Sequence, residues 1–202
     1  SAGLVSPLVA NTLPSGSQVV SGQVSINQES TNRLVVNQSS ATAAINWQQF
    51  SIGSGNTVVF NQPTASSVAL NRVVGTDPSL IQGSLVANGQ VFLVNPNGVI
   101  FGRDSRVDVG GLIATTLNIT NENFQSGNYV FSSSGTLNSN AVVNQGNIKA
   151  ANGGSVSLVA ARVVNDGLIE APKGQVALAA ADEVLLDLGR PVKLAVKKGA
   201  FD

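Results

Sequence analysis

The sequence predicts an all-β chain wound as a parallel β-helix, and three observations support that fold class. Short runs of Val, Ile, Leu and Thr are cut every few residues by Gly, Asn, Pro or Ser, and helical periodicity is nearly absent. A repeat of about twenty residues fits one coil holding two or three short strands. Aromatic residues make up only 4% of the chain, so small and β-branched side chains must fill thin, regular layers.

The repeat is clearest in the C-terminal half of the chain. Residues 145–158 and 166–178 share one pattern, in which Gly146 corresponds to Gly167 and Val156 to Val176. A copy at 82–91 places Gly83 three such periods before Gly146. Looser copies lie at 98–102 and 135–139. If the period held along most of the chain, about nine coils would form a rod of roughly 40 to 45 Å.

A β-helix also accounts for the polar composition, which includes 21 Gly and 21 Asn. We expect Gly and Asn at corners with positive φ, and repeated Asn side chains in hydrogen-bonded ladders between coils. The repeats do not extend into residues 1–75. That part is therefore predicted to hold an N-terminal β cap and the first coils, with further coils over 76–202, because an uncapped end would expose core and backbone edges.

The composition excludes several classes of function. The chain has no His and no Cys, which removes Ser/His/Asp triads, thiolate nucleophiles and Cys/His zinc sites. It carries 11 Lys and Arg against 11 Asp and Glu, so it lacks the basic excess that nucleic-acid binding needs. We expect a monomer with no enzymatic activity, no cofactor, no metal and no nucleic-acid partner.

The lack of Cys suits a chain that crosses membranes unfolded, since a premature disulfide would block threading. The chain begins at Ser1 with neither a basic segment nor an apolar segment behind it, and we interpret it as a mature fragment whose signal peptide is absent. No stretch approaches ~18 uninterrupted apolar residues, so no transmembrane helix is predicted.

Ordered sequence blocks resemble a known family. They lie at 45–53, 59–63, 68–73, 81–85 and 87–102. Together they resemble the secretion (TPS) domain of two-partner-secretion exoproteins, the filamentous-haemagglutinin-like or haemagglutination-activity family. The block at Asn46 and Trp47 and the block from Asn95 to Gly98 resemble the branch of high-molecular-weight adhesins and haemopexin-binding exoproteins. A second Asn-rich motif of the filamentous-haemagglutinin branch has no counterpart here.

The resemblance implies a right-handed parallel β-helix with an N-terminal cap, at the start of a larger exoprotein. An adhesin is expected, and a haem-acquisition protein, a cytolysin and a toxin carrier are the alternatives. The resemblance implies a partner, an Omp85/TpsB outer-membrane transporter whose periplasmic POTRA domains recognise this domain. It also implies passage through the periplasm to the medium or the cell surface of a Gram-negative bacterium. The residues taken from it as a transporter-recognition or folding motif are Asn95, Pro96, Asn97, Gly98, Asn46, Trp47, Phe50, Gly53, Asn71 and Arg72.

Two of these blocks have structural interpretations beside the functional one. Asn95, Pro96 and Gly98 hold the first, second and fourth positions of a turn, where each residue type is favoured, so a structural corner and a corner that also contacts the transporter both stay open. Trp47 is predicted to pack inside, alternating along one strand with Phe50 and Ile52, and the alternative is an exposed partner anchor.

Other classes of function remain as alternatives. The exposed Asn, Ser and Thr residues could bind host glycan or matrix directly. A polysaccharide-active β-helix enzyme would need acidic residues to converge on Ca²⁺, and Asp77, Asp104 and Asp108 are the candidates. The basic stretch that includes Lys193 and Lys197 is interpreted as a solvated end or a join to further coils.

Overall fold

The computed structural model describes residues 12–133, 139–187 and 193–197. The chain is nearly all β, with 3% helix, and forms a β-solenoid of about six turns, which confirms the predicted fold class. In chain order the elements are β1 (Gln18–Ser21), β2 (Val24–Ser30), β3 (Arg33–Gln38), β4 (Thr42–Trp47), β5 (Thr57–Asn61), β6 (Val68–Val73), β7 (Ser79–Ile81), β8 (Ser84–Ala87), β9 (Gln90–Val94), β10 (Val99–Phe101), β11 (Arg106–Val109), β12 (Gly111–Thr115), α1 (Asn121–Gln125), β13 (Val130–Ser132), β14 (Ala141–Asn144), β15 (Asn147–Ala150), β16 (Ser155–Ala160), β17 (Arg162–Asn165), β18 (Leu168–Glu170), β19 (Gln175–Ala180), β20 (Glu183–Asp187) and β21 (Lys193–Lys197).

Three sheets form the walls of the solenoid, and each regular coil supplies one strand to each of them. The covered sheet has the order β1-β4-β6-β9-β12-β16-β19, the open sheet β18-β15-β11-β8-β5-β3-β2, and the short sheet β17-β14-β10-β7. Neighbouring coils pair in parallel, as from β6 to β9 and from β11 to β15. The exceptions are β1 on β4 and β2 on β3, which are antiparallel and close the N-terminal end.

Parallel coils already form within residues 1–75, where the sequence shows no repeat. The repeat is hidden there because the first coils are longer than the later ones. Arg33 already pairs in parallel with Thr57. On the covered sheet, one coil runs from Ala43 to its partner Ala69, and the next, shorter coil runs from Ala69 to Val91. A repeat of unequal length leaves no fixed offset in the sequence.

The expected nine coils are wrong, because one coil carries a long insertion. Val156 stacks directly on Leu112, although the chain leaves the solenoid after β12 and returns only at β14. The same insertion means that the path from Gly83 to Gly146 makes two coils rather than three, because β8 pairs with β11 and β11 with β15. We call residues 116–133 the excursion.

A fourth sheet departs from the coil pattern expected over 76–202. The strands β13, β20 and β21 pair antiparallel, in the order β13-β20-β21. Lys193 and Lys197 therefore lie on a hairpin strand rather than on a further coil. Most of the loose repeat copy at 135–139 lies outside the described residues.

The molecule has two apolar cores, one on each face of the covered sheet. The solenoid interior stacks aliphatic side chains in columns, such as Val91, Leu112 and Val156. The outer core lies between the covered sheet and the excursion and centres on Phe92 and Phe124. Every residue of β6 and β12 is accordingly buried, whereas exposed and buried residues alternate along β11 and β15 of the open sheet.

Glycine is required at the corners by close approach between coils more often than by positive φ. A Cβ on Gly174 would lie 1.6 Å from the carbonyl oxygen of Gly154, and one on Gly154 would lie 1.9 Å from that of Gly110. None of these three glycines has a positive φ. Among the described residues no Asn has a positive φ, so the expected left-handed Asn corners are wrong.

Within residues 12–133, 139–187 and 193–197, the predicted Asn ladders take the form of pairs between adjacent coils. Asn61 Nδ2 donates to Asn37 Oδ1 at 3.0 Å, and Asn144 Nδ2 donates to Asn165 Oδ1 at 2.9 Å. Each pair joins one coil to the next, so the amides add to the contacts between neighbouring coils.

Gly154→Ala is predicted to destabilise the domain by about 2 kcal/mol or more, because the added Cβ meets backbone that cannot move without breaking coil pairing. Chemical denaturation of the purified domain measures the loss. Gly102→Ala is the control: its nearest contact is the flexible Gln82 side chain at 3.3 Å, and we expect a change below about 1 kcal/mol. Equal losses in the two variants would contradict the close-approach explanation.

Candidate recognition site

The segment from Asn95 to Gly98 forms a turn that carries the chain from β9 to β10. The Gly98 N–H donates to the Asn95 carbonyl oxygen at 3.0 Å, which closes the four-residue turn. The Asn95 side chain accepts from the Asn97 N–H at 2.9 Å and from Asn97 Nδ2 at 3.0 Å. Gly98 has φ +115, a conformation that other residues rarely adopt. The predicted corner is therefore present, and contact of this corner with the transporter stays a prediction.

The two Asn side chains also fasten this corner to the preceding coil. Asn95 Nδ2 donates to the Asp77 carbonyl oxygen and to Ser79 Oγ, both at 3.0 Å. Asn97 Nδ2 donates to the Gly75 carbonyl oxygen at 2.9 Å. Both protons of the Asn95 amide are thus used while the residue is 0% exposed, so removing this side chain would leave buried polar groups unpaired.

The next coil completes the stack at this corner. Asn140 Nδ2 donates to the Pro96 carbonyl oxygen at 2.7 Å. Pro96 and Asn97 are half-buried, whereas Asn95 and Gly98 are buried. The surface that the corner offers to a partner therefore comes from Pro96 and Asn97.

Trp47 and Asn71 form a buried polar contact between the neighbouring strands β4 and β6 of the covered sheet. Trp47 is 1% exposed, and its Nε1 donates to Asn71 Oδ1 at 2.9 Å. The Asn71 amide donates to the carbonyl oxygens of Ala69 at 3.3 Å and Phe92 at 3.4 Å. Trp47 also packs edge-on against Phe50, with ring centroids 5.5 Å apart. The inward-packing prediction for Trp47 is confirmed.

The expectation that Trp47, Phe50 and Ile52 alternate along one strand is wrong. Strand β4 ends at Trp47, and Phe50 and Ile52 follow it around the corner. All three side chains are buried because the chain turns between them.

Arg72 is a buried cation surrounded by neutral oxygen atoms. The residue is 9% exposed. The guanidinium donates to Asn46 Oδ1 at 3.1 Å, Asn118 Oδ1 at 2.9 Å, Asn121 Oδ1 at 2.8 Å and the Ile119 carbonyl oxygen. Burial lowers the pKa of Arg72 from its ordinary value. The described residues contain one ion pair, between Glu29 and Arg33. Within those residues, no carboxylate therefore forms an ion pair with Arg72.

Most residues of the predicted recognition or folding motif lie along one corner of the solenoid, where the strands of the covered sheet end. Gly53 lies elsewhere. Asn46, Arg72 and Asn95 lie at or near the ends of β4, β6 and β9, which are consecutive in the covered sheet. Gly53 lies at another corner, between the short and open sheets, where its N–H donates to the Thr12 carbonyl oxygen at 2.8 Å.

Residues of the excursion complete this site, and none of them was predicted from the sequence. Asn118 and Asn121 hold Arg72, and the rings of Phe124, Tyr129 and Phe131 pack near or against Phe92. Two signals were present. Arg72 follows Asn71 inside a strand whose other four residues are apolar, and three of the chain's nine aromatic residues fall within eight positions.

The acidic residues named as candidates for a Ca²⁺ site do not converge in the described part of the chain. No group of three or more His, Cys, Asp or Glu residues there lies close enough to hold a metal ion, so Asp77, Asp104 and Asp108 do not form such a group. Within the same residues, no helix has the length and apolar character needed to cross a membrane.

Asn71→Leu is predicted to cost about 1 to 3 kcal/mol of stability, because it leaves the buried Trp47 Nε1 without an acceptor. Trp47→Phe removes that donor, so the double variant is expected to lose less than the sum of the two single losses. Thermal unfolding followed by circular dichroism gives all three values. Strict additivity would show that the Trp47–Asn71 hydrogen bond contributes nothing.

The chain is similar to proteins of known family over almost its whole length. The family model described as TPS secretion domain matches residues 10–198. A heme/hemopexin-binding protein of Haemophilus influenzae strain Rd is 39% identical over 168 residues, which is 80% of this chain and 18% of that protein. A second heme/hemopexin-binding protein of Haemophilus influenzae is 41% identical over 118 residues, 58% of this chain and 13% of that protein. The chain thus spans less than a fifth of these relatives.

Solved structures agree with this similarity. The HMW1 secretion domain from Haemophilus influenzae superposes with a TM-score of 0.83 at 33% identity, covering 91% of this chain and 48% of that one. The filamentous hemagglutinin secretion domain shares the fold, with a TM-score of 0.62 at 19% identity, covering 94% of this chain and 70% of that one. Since the family match spans nearly the whole chain, this protein belongs to the TPS secretion domain family of two-partner-secretion exoproteins.

Proposed function

We propose that this domain starts the export of a larger exoprotein by binding the periplasmic POTRA domains of an Omp85/TpsB transporter. The observation that carries the proposal is the family match over residues 10–198. Exoproteins of this family are secreted or surface-associated in Gram-negative bacteria. The absence of Cys and the low content of charged residues, 11%, are compatible with passage of an extended chain through a narrow pore.

The burial of the motif residues favours recognition before the domain folds. Asn71 and Asn95 are 0% exposed and Trp47 is 1% exposed in the folded domain. A folded domain would therefore hide these side chains from a transporter. In an extended chain they are accessible, and an extended segment is able to add a strand to the edge of a POTRA sheet.

The half-buried part of the turn adds a second element to the proposal. Pro96 and Asn97 keep exposed surface after folding. We propose that the transporter first binds the extended chain and contacts this pair again once the turn has formed. The hydrogen bonds of Asn95 would then serve the fold, and the surface of Pro96 would serve the partner.

Folding at the cell surface supplies the direction of transport in this proposal. Each coil buries its predecessor's apolar side chains and pairs its backbone, so retreat of a folded coil into the pore would break both. The two curated relatives are named for binding heme or hemopexin. For this chain we propose a surface-exposed passenger such as an adhesin.

Export of this chain behind a signal peptide is predicted to require a cognate Omp85/TpsB transporter. The chain should accumulate in the medium of cells that carry the barrel and remain in the periplasm of cells that lack it. Immunoblotting of both fractions measures the effect, and a periplasmic reporter controls for lysis. Equal release without the barrel would contradict the proposal, and saturable binding of the purified domain to host cells would favour the adhesive alternative.

Pro96→Ala separates transporter contact from the turn. Pro96 donates no backbone hydrogen bond, and its carbonyl oxygen remains available to Asn140 after the substitution. We expect unfolding within about 1 kcal/mol of the parent and export reduced several-fold. Asn95→Ala is the matched comparison, with a loss of stability of about 2 kcal/mol or more because its buried partners stay unpaired. Unchanged export of a stable Pro96→Ala variant would exclude the proposed contact of the ring.

A further inference from the structure

Most contacts in a solenoid join a coil only to its neighbours, and the excursion departs from that rule. It leaves the solenoid after β12, whose partners in the covered sheet are β9 and β16. Yet its Asn118 and Asn121 side chains accept hydrogen bonds from Arg72 on β6, which is two strands from β12. Arg72 also donates to Asn46 on β4, the next strand beyond. One side chain therefore joins the coils of β4 and β6 to a segment that leaves the solenoid two coils later.

The apolar contacts of the excursion extend over the same strands. Phe92 on β9 packs edge-on against Phe124 at 6.3 Å and against Phe131 at 5.8 Å between ring centroids. Leu70 on β6 and Ala44 on β4 belong to the same buried cluster. Without the excursion, the outer face of the covered sheet would expose this apolar surface to water.

The chemistry of the Arg72 contacts makes this fastening sensitive to alignment. Four neutral oxygen atoms replace the carboxylate that usually accompanies a buried cation, and three of the four belong to the excursion. A shift of the excursion by one residue would remove several acceptors at once and leave a buried charge without its partners. Three of the four acceptors therefore depend on one alignment of the excursion.

We propose that Arg72 and the excursion act as a folding clamp, so that the coils of β4, β6, β9 and β12 become stable in a single step when the excursion docks. On this account the N-terminal coils are not stable one by one. They hold only after residues 116–133 have folded over them. The inference rests on the proposed function for its role in export, where docking of the excursion would be the point after which the chain no longer slides back.

Native-state hydrogen exchange on the complete purified domain tests the clamp without any transporter. In the unsubstituted domain, the backbone amides of β4, β6 and the excursion should exchange through one shared unfolding event, and so report the same free energy of opening. Arg72→Gln should accelerate exchange in all three by about 30-fold, since hydrogen bonds to a charged group are lost. Amides of β15 and β16 should change less.

Arg33→Gln is the matched control. It removes an arginine that is exposed and pairs with Glu29 at 3.0 Å, so exchange should stay within about threefold of the parent throughout. If Arg72→Gln does not fold, Asn121→Ala removes a single acceptor on the excursion side and should accelerate the same three segments together. Acceleration confined to residues 116–133, with β4 and β6 unchanged, would overturn the proposal.

The two proposals fail separately. Export that ignores the barrel would remove the role in secretion and leave the exchange result intact. Independent opening of the excursion would remove the clamp and leave transporter dependence intact.

Discussion

Backbone pairing between coils is the constraint on which this structure depends. Parallel strands of successive coils must lie about 4.8 Å apart along the whole rod. That spacing leaves no room for a Cβ where corners approach, which is why Gly154 and Gly174 occupy stacked corners. It also forces like side chains into columns, as with Val91, Leu112 and Val156. Composition and fold thus have one common cause, since short aliphatic side chains and glycine satisfy this geometry with few aromatic rings.

In a solenoid, each coil is stabilised by the coils stacked on either side of it. The first coil has a neighbour on one side only, so the N-terminal end is the less stabilised part. Two features reinforce this end. The strands β1 and β2 close it by antiparallel pairing. The excursion then returns from β12 to Arg72, which adds contacts between residues 46 to 49 positions apart in the chain. These contacts hold the N-terminal coils of the domain to residues that follow them by two coils.

The solenoid class was predictable from the sequence, because the turn residues and the repeat from 145 onward encode it locally. The Asn95–Gly98 corner was predictable for the same reason, since each residue type suits its place in the turn. The coil count was not, because the insertion after β12 lengthens one period and the early coils differ in length. Contacts between residues far apart in the chain do not recur at a fixed spacing. The hydrogen bonds of Arg72 with Asn118 and Asn121 were therefore not predictable from residue patterns.

The central claim is that folding of this domain at the cell surface provides the direction of export. The most direct test is the amount exported across a set of stability variants, drawn from the glycine columns, the Trp47–Asn71 contact and the excursion, plotted against their measured unfolding free energies. The account predicts one common curve, in which export falls as stability falls wherever the substitution lies. Full export of variants that cannot fold would contradict it.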